Sequence, residues 1–167
     1  SQPQIATSLT EGRTVRVLFY NGLLDYFAEA GYGITLFTEA LNVPAFTDEF
    51  SRPDLDLAPL HSVRTSTLAT RAFWARRWLS RRHNGLLLDR YLSWEEKRFY
   101  PAESDYIASF KAKRPELLLT THAHLPREAP LLTAAHELGI PSLGIVRSWD
   151  NVYKGIRSRP QHLAVWN

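Results

Sequence analysis

The sequence predicts an α/β fold, a doubly wound parallel sheet with a helical insertion, and three observations predict it. Short apolar or β-branched runs alternate with helically spaced segments. The stretch Thr14 to Thr38 reads as strand, helix and strand in one short unit, which is nearly always parallel and right-handed. Near the other end, Gly139 and Pro141 stop a helix just before the compact apolar run Leu143 to Val146, suited to a strand covered on both faces.

In chain order, Ser1 to Gly12 is polar and is expected to be frayed or extended. Thr14 to Tyr20 is β-branched and aromatic and is expected to be the first strand. Asn21-Gly22 then opens a short helix, because Leu23, Leu24, Phe27 and Ala28 recur at helical spacing. Ile34 to Thr38 is the second strand. Glu39 to His61 carries Pro44, Pro53 and Pro59 and is expected to be irregular, anchored by Phe46 and Phe50, with Asp54 to Leu57 as a short edge strand.

Ser62 to Arg82 is expected to be helical, with Leu68, Ala72, Ala75 and Leu79 as its apolar stripe. Trp74 and Trp78 lie one turn apart among arginines. Core contact with the neighbouring helix is the expected role, and docking on a membrane interface is the alternative. Leu86 to Phe99 forms a second helix and Glu103 to Lys113 a third, with Ile107 and Phe110 inward. Pro115 to Thr120 is the next strand, Glu128 to Leu138 a helix whose first turn holds Pro130, and Gln161 to Trp166 a last strand.

At 167 residues, with 44% hydrophobic and 22% charged residues, the chain has the make-up of one globular domain. Cysteine is absent, which excludes disulfides, thiolate metal sites and a cysteine nucleophile. No apolar run is long enough to span a bilayer, and no secretory signal is visible. The net charge of +3 is uneven. Glu11 to His61 sums to −5, Ser62 to Tyr100 to +6, and Pro101 to Asn167 to +2. The basic middle is expected to be a solvated helix face partly paired with the acidic first third.

In a parallel sheet, ligands sit outside the carboxyl ends of the strands. Two loops there carry reactive groups. One holds His122 and His124, candidate general bases because imidazole titrates near neutrality. Their spacing is one that some metal sites use, but no third ligand is evident, so no metal and no cofactor is expected. The other holds Ser148, Trp149, Asp150, Asn151 and Lys154. There a carboxylate and an amide can bind hydroxyls, an indole can stack on a sugar, and an ammonium can meet a phosphate. A self-contained Asx turn is the competing reading for Asp150. Asn21 is expected to line the same cleft. No serine-hydrolase elbow or zinc-protease motif is present.

Ala134 to Gly155 (AAHELGIPSLGIVRSWDNVYKG), followed by Leu163 to Asn167 (LAVWN), resembles the N-terminal half of bacterial glycosyltransferase-like proteins with two Rossmann domains (GT-B). The group is the surface-polysaccharide type related to CDP-glycerol glycerophosphotransferases. The likeness is close over Pro115 to Asn167, looser over Val15 to Pro44 and weakest in the arginine-rich helices. It implies that residues 1–167 form a single Rossmann-like, acceptor-side domain, with a C-terminal donor-binding domain outside this chain. It also implies transfer of a sugar or glycerol-phosphate unit from a nucleotide-activated donor to a cell-surface glycan acceptor. Ser148, Trp149, Asp150, Asn151 and Lys154 carry over by position as cleft residues.

The isolated domain is expected to be inactive and cytoplasmic, with the inner membrane face as the place of any peripheral contact. Nucleic acid is not an expected partner; binding through Arg76, Arg77, Arg81 and Arg82 would require steep salt dependence. The alternative function is a non-catalytic Rossmann-like module that binds a ligand or partner.

Overall fold

A computed structural model describes residues 2–63, 65–82, 85–122, 126–146 and 159–165. Six strands form one parallel sheet: β1 (Gln4–Leu9), β2 (Gly33–Thr38), β3 (Leu55–Pro59), β4 (Leu117–Thr120), β5 (Ser142–Ile145) and β6 (His162–Ala164). Their order is β3-β2-β1-β4-β5-β6. The chain winds outward from β1 in one direction and then restarts at β4 on its other side. This is a Rossmann-like double winding, and its switch point lies between β1 and β4.

The first strand is not where propensity places it. Gln4 to Leu9, expected to be frayed, is the central strand, and Ile5 to Leu9 are all buried. Thr14 to Tyr20, expected to be that strand, is helical. α1 (Gly12–Val15) runs on into a π-helical turn over Arg16–Tyr20, closed by Asn21 N–H donating to the Arg16 carbonyl at 2.9 Å. Burial explains the outcome. Thr14 and Leu18, four residues apart, are fully buried, and Val15 and Phe19 pack partly against the same core, whereas Arg16 and Tyr20 face solvent. That is a helical face, and tertiary packing overrides the β-propensity of the individual residues. The expected parallel βαβ unit persists, but its first strand lies upstream.

α2 (Leu23–Glu29) follows Gly22, whose φ of 73° suits glycine. The expected irregular stretch after β2 is largely ordered. A 3₁₀ turn (Glu39–Asn42) leads to α3 (Pro44–Phe50), which Pro44 begins rather than breaks because its missing N–H is not needed there. Phe46 and Phe50 do anchor it, packing on each other and on Phe19. β3 is an edge strand, as expected. α4 (Thr67–Ser80), capped by the Ser66 hydroxyl, and α5 (Leu86–Phe99) form a hairpin; α6 (Ser104–Lys113) precedes β4, and α7 (Ala129–Glu137) precedes β5.

Helices cover both faces of the sheet. Leu9, Leu18, Leu24, Ile34, Leu36 and Phe46 form one core with α1 to α3. Ala6, Phe37, Tyr106, Phe110, Leu118 and Leu131 form the other with α6 and α7. The α4–α5 hairpin lies outside this second layer, where α5 packs on α7. On α4 the inward residues are Ala69, Ala72, Phe73 and Arg76. The expected stripe fails because Leu68 and Ala75 are exposed. Trp74 and Trp78, expected in core contact, are 55% and 54% exposed.

Candidate functional site

The switch point brings together the carboxyl ends of β1 and β4. β1 delivers Thr10 and Glu11 just before α1 starts at Gly12, and β4 delivers Thr121 and His122. His122 is 2% exposed and lies between Thr10 and Glu11, the two residues that follow β1. Its Nδ1 is 3.1 Å from Thr10 Oγ1, and its Nε2 is 3.3 Å from Glu11 Oε2. A carboxylate beside Nε2 favours the proton on that nitrogen. In the neutral ring Nδ1 is then the basic nitrogen and accepts from the Thr10 hydroxyl.

The backbone beneath His122 is fixed by Glu128, at the end of the 3₁₀ turn Pro126–Glu128. This carboxylate is fully buried. It accepts from Thr121 N–H and His122 N–H, each at 2.9 Å, and from the Ser8 hydroxyl. Thr121 Oγ1 in turn donates to the Ser8 carbonyl at 3.0 Å, which ties β1 to β4 a second time. Burial pushes the Glu128 carboxyl up from its ordinary range, and hydrogen bonds from Ser8, Thr121 and His122 pull against that rise. Arg127 joins a third strand end. Its guanidinium donates to the Thr10 carbonyl at 3.3 Å and to Glu39, just after β2, at 3.4 Å.

The arrangement can take a proton at Nδ1 and hold the resulting imidazolium against a carboxylate. Among the described residues no three histidine, aspartate or glutamate side chains cluster as metal ligands, and no helix is long and apolar enough to cross a membrane.

Of the residues singled out from sequence, His122 lies in this crevice. His124, Ser148, Trp149, Asp150, Asn151 and Lys154 lie outside the described residues. Asn21 requires correction. It was placed in the cleft as the residue after a strand, but it caps the π-helical turn and is exposed. The helix has already carried the chain away from the end of β1 by that point. Thr10, Glu11 and Glu128 were not anticipated. The signal that could have found them is the alternation Ile5, Thr7, Leu9 followed by Gly12, a strand leading to a turn and a helix start.

No protein-family model matches the chain, and no curated protein matches it. Among solved structures it is similar to a UDP-glucosyltransferase from Polygonum tinctorium capable of glucosylating indoxyl, at 15% identity and a TM-score of 0.49, over 87% of this chain and 30% of that one. It is similar to MurG from Acinetobacter baumannii at 11% identity and a TM-score of 0.48, over 91% of this chain and 38% of that one. It is also similar to the glycosyltransferase SnogD from Streptomyces nogalater at 14% identity and a TM-score of 0.44, over 98% and 44%. The chain thus spans less than half the length of these proteins. The Rossmann-like α/β class rests on the sheet itself, six parallel strands wound outward from β1 and β4.

Proposed function

We propose that this chain is the acceptor-side domain of a glycosyltransferase, in which a sugar or glycerol-phosphate unit moves from a nucleotide-activated donor to a cell-surface glycan. The observation that carries the proposal is the Thr10–His122–Glu11 constellation at the switch point. The sequence resemblance over Pro115 to Asn167 supports the same reading. An acceptor hydroxyl that replaces the Thr10 hydroxyl on Nδ1 gives its proton to the ring. Its oxygen then bonds to the transferred carbon or phosphorus, and the bond to the nucleotide leaving group breaks. Glu11 holds the ring in the required tautomer and stabilises the imidazolium.

In this scheme the donor sits mainly on a C-terminal domain outside this chain. Asp150, Asn151 and Ser148 take acceptor hydroxyls, Trp149 stacks on a ring, and Lys154 meets a phosphate. His124 is the second candidate base.

A non-catalytic binding module is the competing reading, and the near-complete burial of His122 favours it. The full natural reading frame separates the two. It should bind one donor from a panel of nucleotide sugars and CDP-glycerol. His122→Ala should lower turnover by about 100-fold or more with little change in donor affinity. Glu11→Gln should cost less, since the ring keeps its place while the imidazolium loses its carboxylate. Activity that survives both His122→Ala and His124→Ala sinks the base assignment. A full-length protein that binds no donor moves the binding module ahead.

A further inference from the structure

We infer that the outward face of the α4–α5 hairpin docks on an anionic lipid bilayer. The inference is independent of the transferase reading and rests on how the fold sorts the hairpin's side chains. Ser62 to Tyr100 holds three acidic residues, Asp89, Glu95 and Glu96. Two of them are turned inward. Glu95 is 3% exposed and pairs with Arg76 at 3.3 Å, while Glu96 faces His136 at 3.3 Å and Arg159 at 3.7 Å. Asp89 alone remains on the exposed surface.

The cations are sorted the other way. Arg71, Arg77, Arg81 and Arg82 on and just after α4, and Arg90, Lys97 and Arg98 on α5, form no ion pair among the described residues. All but the half-buried Arg77 are exposed. Folding therefore turns a mixed sequence into a hairpin whose exposed surface is strongly positive.

The exposed surface of the same two helices also carries large apolar groups. Trp74, Trp78 and Trp94 are 55%, 54% and 50% exposed, and Leu86 and Leu87 at the start of α5 are 80% and 58% exposed. Arg77 lies over the Trp74 ring and Arg82 over the Trp78 ring, at 5.5 and 4.5 Å. Tryptophans interleaved with arginines suit the headgroup layer, where an indole is half apolar and half wet and a guanidinium meets phosphate. The leucines decide between a bilayer and nucleic acid. Two aliphatic side chains beside the hairpin turn have no base to stack on, but they can enter the acyl boundary. Charge complementarity then selects an anionic leaflet.

The test is flotation of the 167-residue protein with vesicles of phosphatidylcholine alone or mixed with phosphatidylglycerol. Binding is expected only to the mixed vesicles, with a blue shift of tryptophan emission and quenching by lipids brominated on the acyl chain. The double variant Arg81→Glu, Arg82→Glu should weaken binding by about thirtyfold or more, two lost attractions near the surface. Leu86→Ser with Leu87→Ser should weaken it and reduce the quenching. Absence of binding to anionic vesicles overturns the inference, as does binding that neither variant changes. Binding without acyl-chain quenching, matched by equal affinity for duplex DNA, would make the face a nonspecific polycation and also overturn it. The quenching measurement needs no substitution, so a variant that misfolds cannot decide the outcome.

Discussion

Replacing Glu128 tests whether the floor of the crevice is held as described. Glu128→Ala takes the carboxylate acceptor from His122 N–H and leaves Thr121 N–H only its long 3.4 Å contact to Ser8 Oγ, in a site closed to water. Each stranded donor costs about 1–3 kcal/mol, and deletion of the side chain leaves a cavity as well. Removing a carboxyl that burial disfavours returns part of this, so the net loss should be about 2–4 kcal/mol. A domain of this size is stable by about 5–15 kcal/mol, so the variant should fold but with a clearly lowered midpoint.

Urea unfolding followed by tryptophan fluorescence reads the loss directly. With a slope of about 2 kcal/mol per molar, the midpoint should fall by about 1–2 M at unchanged slope. Glu128→Gln should lose less, since its carbonyl still serves one N–H while its amide faces the other. The pH dependence has a definite sign. A carboxyl raised in the folded state stabilises most fully below its unfolded value, and that contribution is lost as pH rises through the folded one. The deficit of Glu128→Gln relative to the parent should therefore shrink as pH rises from the acid range. An unchanged midpoint in Glu128→Ala would refute the claim that this carboxylate holds His122 in place.

Two further outcomes follow from the packing. Gly144 in β5 has no room for a side chain, because a Cβ there would lie 2.5 Å from Pro160 Cγ and 3.2 Å from Leu163 Cδ2. Gly144→Ala should push β6 from β5 and cost about 1–3 kcal/mol, read as a lowered urea midpoint; an unaltered midpoint would mean that β6 is not packed as described. Tyr106 is pushed up to about 12, chiefly by burial, with Glu103, Glu39 and Asp105 adding to the rise. Its raised value means that folded-state stability is complete below the ordinary tyrosine range and is lost as pH rises through about 12. Tyr20 and Tyr91 are raised as well, so a spectrophotometric titration should show a late phase whose last component, at about 12, Tyr106→Phe removes. A titration curve that Tyr106→Phe leaves unchanged at its alkaline end would contradict the burial.

Elements whose local signal and burial agree were legible in the sequence. α5 was placed correctly from Leu86 to Phe99, and α7 and β5 were bracketed by Pro130, Gly139 and Pro141. The misplaced elements share a cause. Gln4 to Leu9 reads as polar because Thr7 and Ser8 sit in it, yet the structure buries both completely. Ser8 is there to reach Glu128, 120 residues away, and no local window contains that partner. The reverse holds for Thr14 to Tyr20, whose β-branched residues suggest a strand until β1 takes that position and leaves them to the crossover. Pro44, Pro53 and Pro59 argue against a long regular element, but the place of Pro44 at the first turn of the short α3 depends on where that helix starts. On α4, the choice between a core stripe and a surface stripe was set by the inward-facing Arg76 and its partner Glu95, a pairing across two helices.

The same displacement accounts for what was missed at the site. The principle that ligands gather at strand carboxyl ends led to His122, because β4 was placed correctly. It led to Asn21 rather than Thr10 and Glu11 because the first strand was set too far along the chain. Moving that strand to Gln4–Leu9 makes the polar residues at its end intelligible. Ser8 helps to hold Glu128, which fixes the backbone of His122; Thr10 occupies the basic nitrogen of the ring; and Glu11 faces the other nitrogen just before α1 begins. Ser8, buried in β1, and Thr10 just after it are thus the residues that join the end of this strand to the end of β4 at the switch point.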